Sequence, residues 1–208
     1  MLAFFHTAAA NAVSFEAIAQ ELSPGIATRH VVREDLLDRA REAGGVGPEM
    51  MQEIAVAIEA SIQPGDAVML CTCSTIGGGA DLVRHVSVPV LRVDRPMARA
   101  AVAAGPRVLV AACLRSTIEP TVDLVRTEGP QAEIATLLID GAWASWVEGR
   151  KEEYWEKIAA EIRGRIAGFD AVVLAQASMA GAAELLTGLG VPVLSSPRLG
   201  IAAAIRLC

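Results

Sequence analysis

Residues 68–80 decide the fold, and they run Val68-Met69-Leu70-Cys71-Thr72-Cys73-Ser74-Thr75-Ile76-Gly77-Gly78-Gly79-Ala80. A short apolar run leads into cysteines and hydroxyl side chains, and glycines then begin what the pattern predicts to be a helix. This order is typical of a buried strand in an open α/β sheet, where ligands bind at the carboxyl ends of the strands. Cys73 is therefore predicted to lie at a ligand-binding edge beside a helix amino terminus, which favours anions and thiolates.

The same alternation of short apolar runs and longer amphipathic stretches extends along the whole chain. Helical spacing of apolar residues is clearest in Ala12–Leu22, Pro48–Ile62 and Tyr154–Ile166. Strands are predicted at Leu2–His6, Ile26–Val32, Ala67–Thr72, Val88–Val93, Arg107–Ala112, Glu133–Ile139, Ala171–Ala175 and Pro192–Ser195. Strands that alternate with helices predict parallel sheets covered by helices, so the fold class is α/β.

Two proline-containing junctions divide this pattern. Val93-Asp94-Arg95-Pro96 follows the fourth predicted strand, and Leu189-Gly190-Val191-Pro192 precedes the eighth. They predict a first lobe of residues 1–95 plus 191–208 and a second lobe of residues 96–190. The two halves also share a weak internal symmetry, because small polar side chains follow apolar runs in both.

Composition excludes several classes of partner. The chain has 208 residues, of which 53% are hydrophobic and only 4% aromatic, and its net charge is −6. A nucleic-acid or anionic-membrane partner would favour a basic, more aromatic chain. No apolar stretch is long enough to span a bilayer, and the interrupted apolar amino terminus does not resemble a secretory signal. We expect a cytoplasmic protein.

The cysteines and histidines do not form a recognisable metal or disulfide pattern. Cys71 and Cys73 are one residue apart, whereas Cys113 and Cys208 lie elsewhere. Reduced thiols in a cytosolic chain agree better with this spacing than a disulfide framework does. The three histidines are dispersed, so no zinc site and no other metal site is predicted.

Cys73 is the main candidate for chemistry. A thiolate at the end of a strand can act as a base or as a nucleophile, because a helix terminus lowers the pKa of a thiol. The alternative is a buried cysteine that packs as a small hydrophobic side chain. Cys71 points to the same strand face one step deeper and is predicted to belong to the core.

Small polar side chains gather at several predicted strand ends. They would line a cleft for a small polar ligand, although serine and threonine are also common helix caps. The candidate substrate-binding residues are His6, Thr7, Ser74, Thr75, Ser116, Thr117, Gln176 and Ser178.

Four motifs together resemble the aspartate/glutamate racemase superfamily, which also includes hydantoin and allantoin racemases, maleate isomerase and arylmalonate decarboxylase. The resemblance covers nearly the whole chain. It implies two pseudo-symmetric α/β lobes, each a parallel sheet flanked by helices, with the active site in the cleft between them. The motifs are Cys73-Ser74-Thr75, Arg115-Ser116-Thr117, Val172-Val173-Leu174-Ala175-Gln176-Ala177-Ser178-Met179-Ala180 and Val191-Pro192-Val193-Leu194-Ser195.

The resemblance also implies a reaction. Racemases of this family use one thiolate to remove the α-proton and a second thiol to deliver a proton from the other side, without a metal or pyridoxal cofactor. Cys73 matches the first thiol. The second position falls at Gln176, whose amide neither gains nor loses a proton usefully. The resemblance thus implies a cofactor-independent, isomerase- or racemase-like enzyme with Cys73 as its catalytic residue.

Gln176 leaves three interpretations open. The enzyme could be a single-cysteine decarboxylase or lyase, Cys113 or His6 could act as the second base, or the chain could be a catalytically silent protein that binds a small carboxylate. In each case the ligand is expected to be small and anionic: an amino acid, a hydantoin-like ring or a dicarboxylate. A homodimer would be in keeping with the family.

Overall fold

The computed structural model describes residues 1–208 and divides into two compact units. The first unit comprises Met1–Asp94 together with Pro197–Cys208, and the second comprises Arg95–Ser196. Each unit contains one four-stranded sheet in which all neighbouring strands are parallel. The α/β fold class predicted from the sequence is confirmed.

The first sheet has the strand order β2-β1-β3-β4. Its strands are β1 (Leu2–His6), β2 (Thr28–Val32), β3 (Val68–Cys71) and β4 (Val90–Arg92). The helices of this unit are α1 (Ala9–Leu22), α2 (Glu34–Glu42), α3 (Pro48–Ala60) and the single-turn α4 (Gly77–Ala80). All five β1 residues are buried, because helices cover both faces of a central parallel strand.

The second sheet repeats this order as β6-β5-β7-β8. Its strands are β5 (Arg107–Ala112), β6 (Glu133–Leu138), β7 (Ala171–Leu174) and β8 (Val193–Ser195). The helices are α5 (Arg95–Ala104), α6 (Arg115–Glu128), α7 (Ala142–Val147), α8 (Lys151–Arg163) and α9 (Ala182–Leu185), with a 3₁₀ turn at Ala177–Gly181. The final helix, α10 (Ser196–Ile205), begins at the last residue of this unit.

All eight predicted strands are present, with ends that differ by at most two residues, and so are the three predicted helices. Two details differ from the sequence predictions. The helix expected at the glycines, α4, has only four residues and consists of the three glycines and Ala80, so it supplies little of the dipole expected to favour a thiolate. Residues 193–195 pair with β7 in the second sheet, whereas the sequence prediction put them in the first lobe.

Separate cores stabilise the two sheets. In the first unit, Phe5, Ile54 and Met69 are fully buried in one cluster between strands and helices. In the second unit, Tyr154 and Ile158 of α8 belong to the same buried cluster as Leu174 of β7. None of the helices combines the length and apolar character that crossing a bilayer requires.

Candidate functional site

The two cysteines at the carboxyl end of β3 differ in their exposure to solvent. Cys71 ends the strand and is fully buried, whereas Cys73 is partly exposed. The Cys71 thiol donates a weak hydrogen bond to the Cys73 carbonyl, at 3.9 Å. Ser74 and Thr75 follow in the turn, and both are buried. The prediction that Cys71 belongs to the core is confirmed.

Burial raises the pKa values of the two buried thiols. Desolvation raises the pKa of Cys71 to about 12 and that of Cys113 to about 11, because a thiolate is disfavoured in an apolar environment. Both are therefore neutral thiols near neutral pH. Cys73 is the partly exposed thiol at a strand end, whereas the exposed Cys208 is the last residue of the chain.

A buried ion pair lies against Gly77, the first residue of α4. Asp94 accepts two hydrogen bonds from the Arg92 guanidinium, at 2.7 and 2.9 Å, and Asp81 accepts a third at 3.1 Å. Burial alone would lower the pKa of Arg92, but these carboxylates raise it. A Cβ on Gly77 would approach the guanidinium to 3.0 Å. Glycine at position 77 therefore lets the backbone pass closely over this charged pair.

His6 is fully buried at the end of β1, and both of its ring nitrogens are engaged. Nδ1 lies 2.8 Å from Thr72 Oγ1, and Nε2 lies 2.9 Å from His30 Nδ1. Burial lowers the pKa of His6 to about 3, with a smaller contribution from His30. His6 therefore remains uncharged at neutral pH. Its contact towards β3 is the one between Nδ1 and the Thr72 hydroxyl. Thr7, the next residue, is also buried.

His30 continues this chain of contacts to the protein surface. Its Nε2 lies 3.1 Å from Glu16 Oε2, and the Thr28 hydroxyl donates to the same carboxylate oxygen at 2.5 Å. The Thr28 hydrogen bond contributes most to lowering the pKa of Glu16. Four side chains, Thr72, His6, His30 and Glu16, thus form a continuous hydrogen-bonded row. We call it the Thr72–Glu16 row.

In the second unit, Gln176 binds the backbone of the β5–α6 turn. The N–H groups of Cys113 and Leu114 donate to its Oε1, at 2.6 and 3.0 Å. Because both partners are donors, this contact fixes the orientation of the amide. Its Nε2 group is therefore the part that can donate to a ligand.

The remaining candidates of the second unit have different environments. Ser178 Oγ lies 2.9 Å from the Tyr154 hydroxyl, and the Ser178 carbonyl accepts a hydrogen bond from the Trp155 indole at 2.8 Å. Ser116 is partly exposed and Thr117 is buried. Both lie inside the first turn of α6, which begins without a side-chain cap. Neither residue therefore occupies the N-cap position, which is Leu114.

Cys73 and Gln176 occupy equivalent places in the two sheets. Thr72 N–H donates to the Phe5 carbonyl, and in the second sheet Ala175 N–H donates in the same way to the Ala111 carbonyl. Each acceptor lies in the second strand of its sheet, which is β1 in the order β2-β1-β3-β4 and β5 in the order β6-β5-β7-β8. The next residue along the chain is Cys73 in one unit and Gln176 in the other.

Several residues of the site escaped the sequence analysis. His30, Glu16 and Thr72 join the site through contacts between residues 14, 24 and 66 positions apart. No local motif marks such contacts, although His30 falls opposite Phe4 once β1 and β2 are known to pair. No group of three or more histidine, cysteine, aspartate or glutamate side chains is arranged to hold a metal ion.

Comparison with known proteins identifies the family. The model of the Asp/Glu/Hydantoin racemase family matches residues 8–204. No curated protein matches the sequence.

Solved structures resemble the fold over nearly the full chain. An aspartate racemase from Picrophilus torridus has 16% identity and a TM-score of 0.71, covering 99% of this chain and 92% of its own. A glutamate racemase from Bacillus anthracis has 16% identity and a TM-score of 0.69, covering 100% and 79%. An allantoin racemase from Klebsiella pneumoniae has 18% identity and a TM-score of 0.66, covering 99% and 86%.

Proposed function

Because this chain belongs to the Asp/Glu/Hydantoin racemase family, and is therefore a racemase- or isomerase-like enzyme, we propose that Cys73 is its catalytic thiol. The proposed substrate is a small acid with an acidic C–H next to a carboxylate or carbonyl. The aspartate, glutamate and allantoin racemases that share the fold suggest an amino acid or a hydantoin-like ring. No cofactor is required by this chemistry.

The exposure of Cys73 is the observation that carries the proposal. It is the partly exposed thiol at the carboxyl end of a parallel strand, where α/β sheets bind their ligands. The neighbouring thiol of Cys71 is fully buried, with its pKa raised to about 12. A base that abstracts a proton must reach the substrate, and Cys73 meets this requirement whereas Cys71 does not.

The proposed step balances as a proton transfer. The Cys73 thiolate takes the proton from the α-carbon and becomes a thiol, while the electron pair of the broken C–H bond moves into the adjacent carbonyl to give an enediolate or enolate. Return of a proton from the thiol restores the C–H bond and the thiolate. Neutral hydrogen-bond donors would stabilise the anionic intermediate, and one such donor contributes about 3 kcal/mol.

Gln176 is proposed as one of these donors. Its Oε1 is held by two backbone N–H groups, so its Nε2 group can donate to a carboxylate or enediolate oxygen. Ser74, Thr75, Ser116, Thr117, Thr7 and Ser178 are proposed as further hydroxyl groups around the substrate. Because His6 is buried with both nitrogens engaged, we assign it an indirect role.

The amide at position 176 also favours a second candidate function. An amide cannot supply the second proton of a two-base racemisation, so chemistry on one face of the substrate, as in a single-cysteine decarboxylase or lyase, remains the alternative. The buried Cys113 adjoins Gln176 through its N–H. Its raised pKa keeps it a neutral thiol near neutral pH, so it can give a proton but offers almost no thiolate to remove one.

Exchange of the substrate α-proton in deuterated water tests the proposal. We expect exchange with at least one member of a panel of amino acids, 5-substituted hydantoins and dicarboxylates. Cys73→Ser should lower the exchange rate by about 100-fold or more, while Cys208→Ser, at the exposed chain end, should leave it unchanged. Exchange that survives in Cys73→Ser would remove Cys73 from the mechanism. Binding without any exchange would support the carboxylate-binding alternative.

Gln176→Cys supplies the second arm of this experiment. If a second proton donor is what the site lacks, this variant should convert one-sided exchange into racemisation, which chiral chromatography measures. Gln176→Ser is the control, because its hydroxyl is a far weaker acid than a thiol. Equal product chirality in both variants would contradict the role proposed for position 176.

A further inference from the structure

The Thr72–Glu16 row has one consistent proton arrangement when both histidines are uncharged. Glu16 is ionised, so His30 must donate from Nε2 to its carboxylate. Neutral His30 then accepts at Nδ1, which requires His6 to donate from Nε2. His6 accepts at Nδ1, and the Thr72 hydroxyl must therefore donate to it. Every hydrogen bond of the row points towards Glu16.

One added proton reverses the two inner hydrogen bonds of the row, those between His30 and His6 and between His6 and Thr72. The burial that lowers the pKa of His6 to about 3 places the charge on His30, which then donates to both Glu16 and His6. His6 stays neutral but now carries its proton on Nδ1 and donates to Thr72 Oγ1. The Thr72 hydroxyl is released and can donate to the Phe5 carbonyl, which lies 3.2 Å away.

We infer that His6 and His30 form a proton-operated switch that sets the orientation of Thr72, the residue before Cys73, and that they are positioning residues for the Cys73 turn. The inference about Cys73 rests on the function proposed above, whereas the switch itself does not. Uptake of one proton at the surface end changes the hydrogen bond at the buried end between His6 and Thr72, which lie 66 residues apart in the chain.

Aromatic side chains and one carboxylate surround the His6 and His30 rings. The titratable group in contact with them is Glu16 on α1, which Gln20 and Thr28 also hold. The aromatic ring of Phe4 stacks on both histidines, at 5.6 and 5.0 Å between centroids. Phe15 packs edge-on against His6 at 5.4 Å. Apolar walls of this kind deny the inner ring alternative partners, so its proton must follow that of His30.

Nitrogen-15 NMR of the histidine rings, recorded as the pH is lowered, tests the switch. On acidification, His30 should become doubly protonated while His6 changes from the Nε2–H to the Nδ1–H tautomer without gaining charge. A His6 ring that keeps one tautomer while His30 takes up its proton would overturn the inference.

Thr72→Val tests the coupling from the far end of the row. Without the hydroxyl, an inverted His6 would have a buried N–H with no acceptor, which disfavours the protonated row, so His30 should take up its proton at a lower pH than in the wild type. Thr72→Ser retains the hydroxyl and should restore the wild-type midpoint. An unchanged midpoint in Thr72→Val would overturn the inference.

The rate at which iodoacetamide alkylates Cys73 tests whether the switch affects the Cys73 turn. The logarithm of the rate should show an inflection at the pH where NMR finds His30 protonation, and this inflection should move with it in Thr72→Val. His85→Gln, at an exposed position, should leave the inflection in place. An inflection that does not move would overturn the positioning role. Failure of Cys73 to react at all would count against the proposed function, while NMR still decides the switch.

Discussion

At the scale of single residues, Gln176 shows how one amide can have a structural and a functional side. Its Oε1 satisfies the N–H groups of Cys113 and Leu114, which are both close to the carboxyl end of β5. Buried N–H groups without acceptors are costly. The same contact directs the Nε2 donor away from the backbone, so stability and the proposed ligand contact depend on opposite ends of one side chain.

Substitutions at position 176 should separate these two sides. Gln176→Leu removes the acceptor and leaves two backbone N–H groups unsatisfied, which we expect to lower the free energy of unfolding by about 1–3 kcal/mol. Gln176→Glu keeps an acceptor oxygen, so it should lose less stability than the leucine variant while placing a negative charge where an anionic ligand is proposed. Urea unfolding measures both changes. Equal losses in the two variants would contradict the assigned acceptor role.

The cysteine thiols show that burial, and not residue type alone, determines the chemistry of a side chain. Cys71 and Cys73 are indistinguishable as residue types, and the strand pattern correctly predicted that Cys71 is buried. The burial of Cys113 beside Tyr154, whose hydrogen bond partly offsets the desolvation of the thiol, was left open by the sequence. It depends on α8, which begins 38 residues later in the chain, and no local periodicity reports such a contact.

At the scale of elements, the glycines after the β3 turn allow α4 to lie against α3. A Cβ on Gly79 would collide with the branched side chain of Ile54, whereas a Cβ on Gly78 would meet only the flexible end of Met51, at 2.7 Å from its Cε. The sequence pattern predicts only that a helix begins at Gly77-Gly78-Gly79. The structure adds that position 79 is required for close packing between the two helices.

Alanine substitutions should distinguish these two glycines. Gly79→Ala should lower the free energy of unfolding by about 1–3 kcal/mol, because the rigid branched side chain of Ile54 cannot move aside. Gly78→Ala should cost much less, since Met51 can adopt another rotamer. Urea unfolding provides the comparison, and combining Gly79→Ala with Ile54→Ala should cost less than the two single changes added together. Additive costs would exclude the predicted collision.

At the scale of the whole molecule, the two units share one strand order but contain different reactive and aromatic side chains. The first contains His6, His30 and Cys73, whereas all three tryptophans and the one tyrosine lie in the second. Tryptophan fluorescence therefore reports on the second unit. Circular dichroism or hydrogen exchange is needed to follow the first.

The buried neutral His6 should make the stability of the protein depend on pH. Its pKa is lowered from 6.5 to about 3 in the folded state, so below pH 6.5 the unfolded chain binds a proton that the folded chain excludes. This contribution to stability is fully present above pH 6.5 and is lost as the pH falls towards 3. Between pH 6.5 and pH 4 it should amount to about 3 kcal/mol.

Urea unfolding followed by circular dichroism at several pH values measures this loss. Because carboxylates also titrate near the lower limit, the comparison is made with His6→Gln, which lacks the titrating ring and should show a flatter pH dependence by the same amount. His85→Gln, exposed in the first unit, should retain the wild-type slope. A slope in His6→Gln equal to that of the wild type would show that His6 is not the group responsible.

The sequence by itself determined the eight strands, the α/β class and the place of Cys73 after a buried strand, because these follow from local periodicity and from turn residues that act over a few positions. The tertiary structure alone decided that His6 is buried against His30, that Gln176 binds the backbone of another turn and that β8 joins the second sheet. These features depend on which distant segments pack side by side. Strand pairing and burial set the hydrogen-bond partners and the pKa values there, and neither is encoded in any short stretch of the chain.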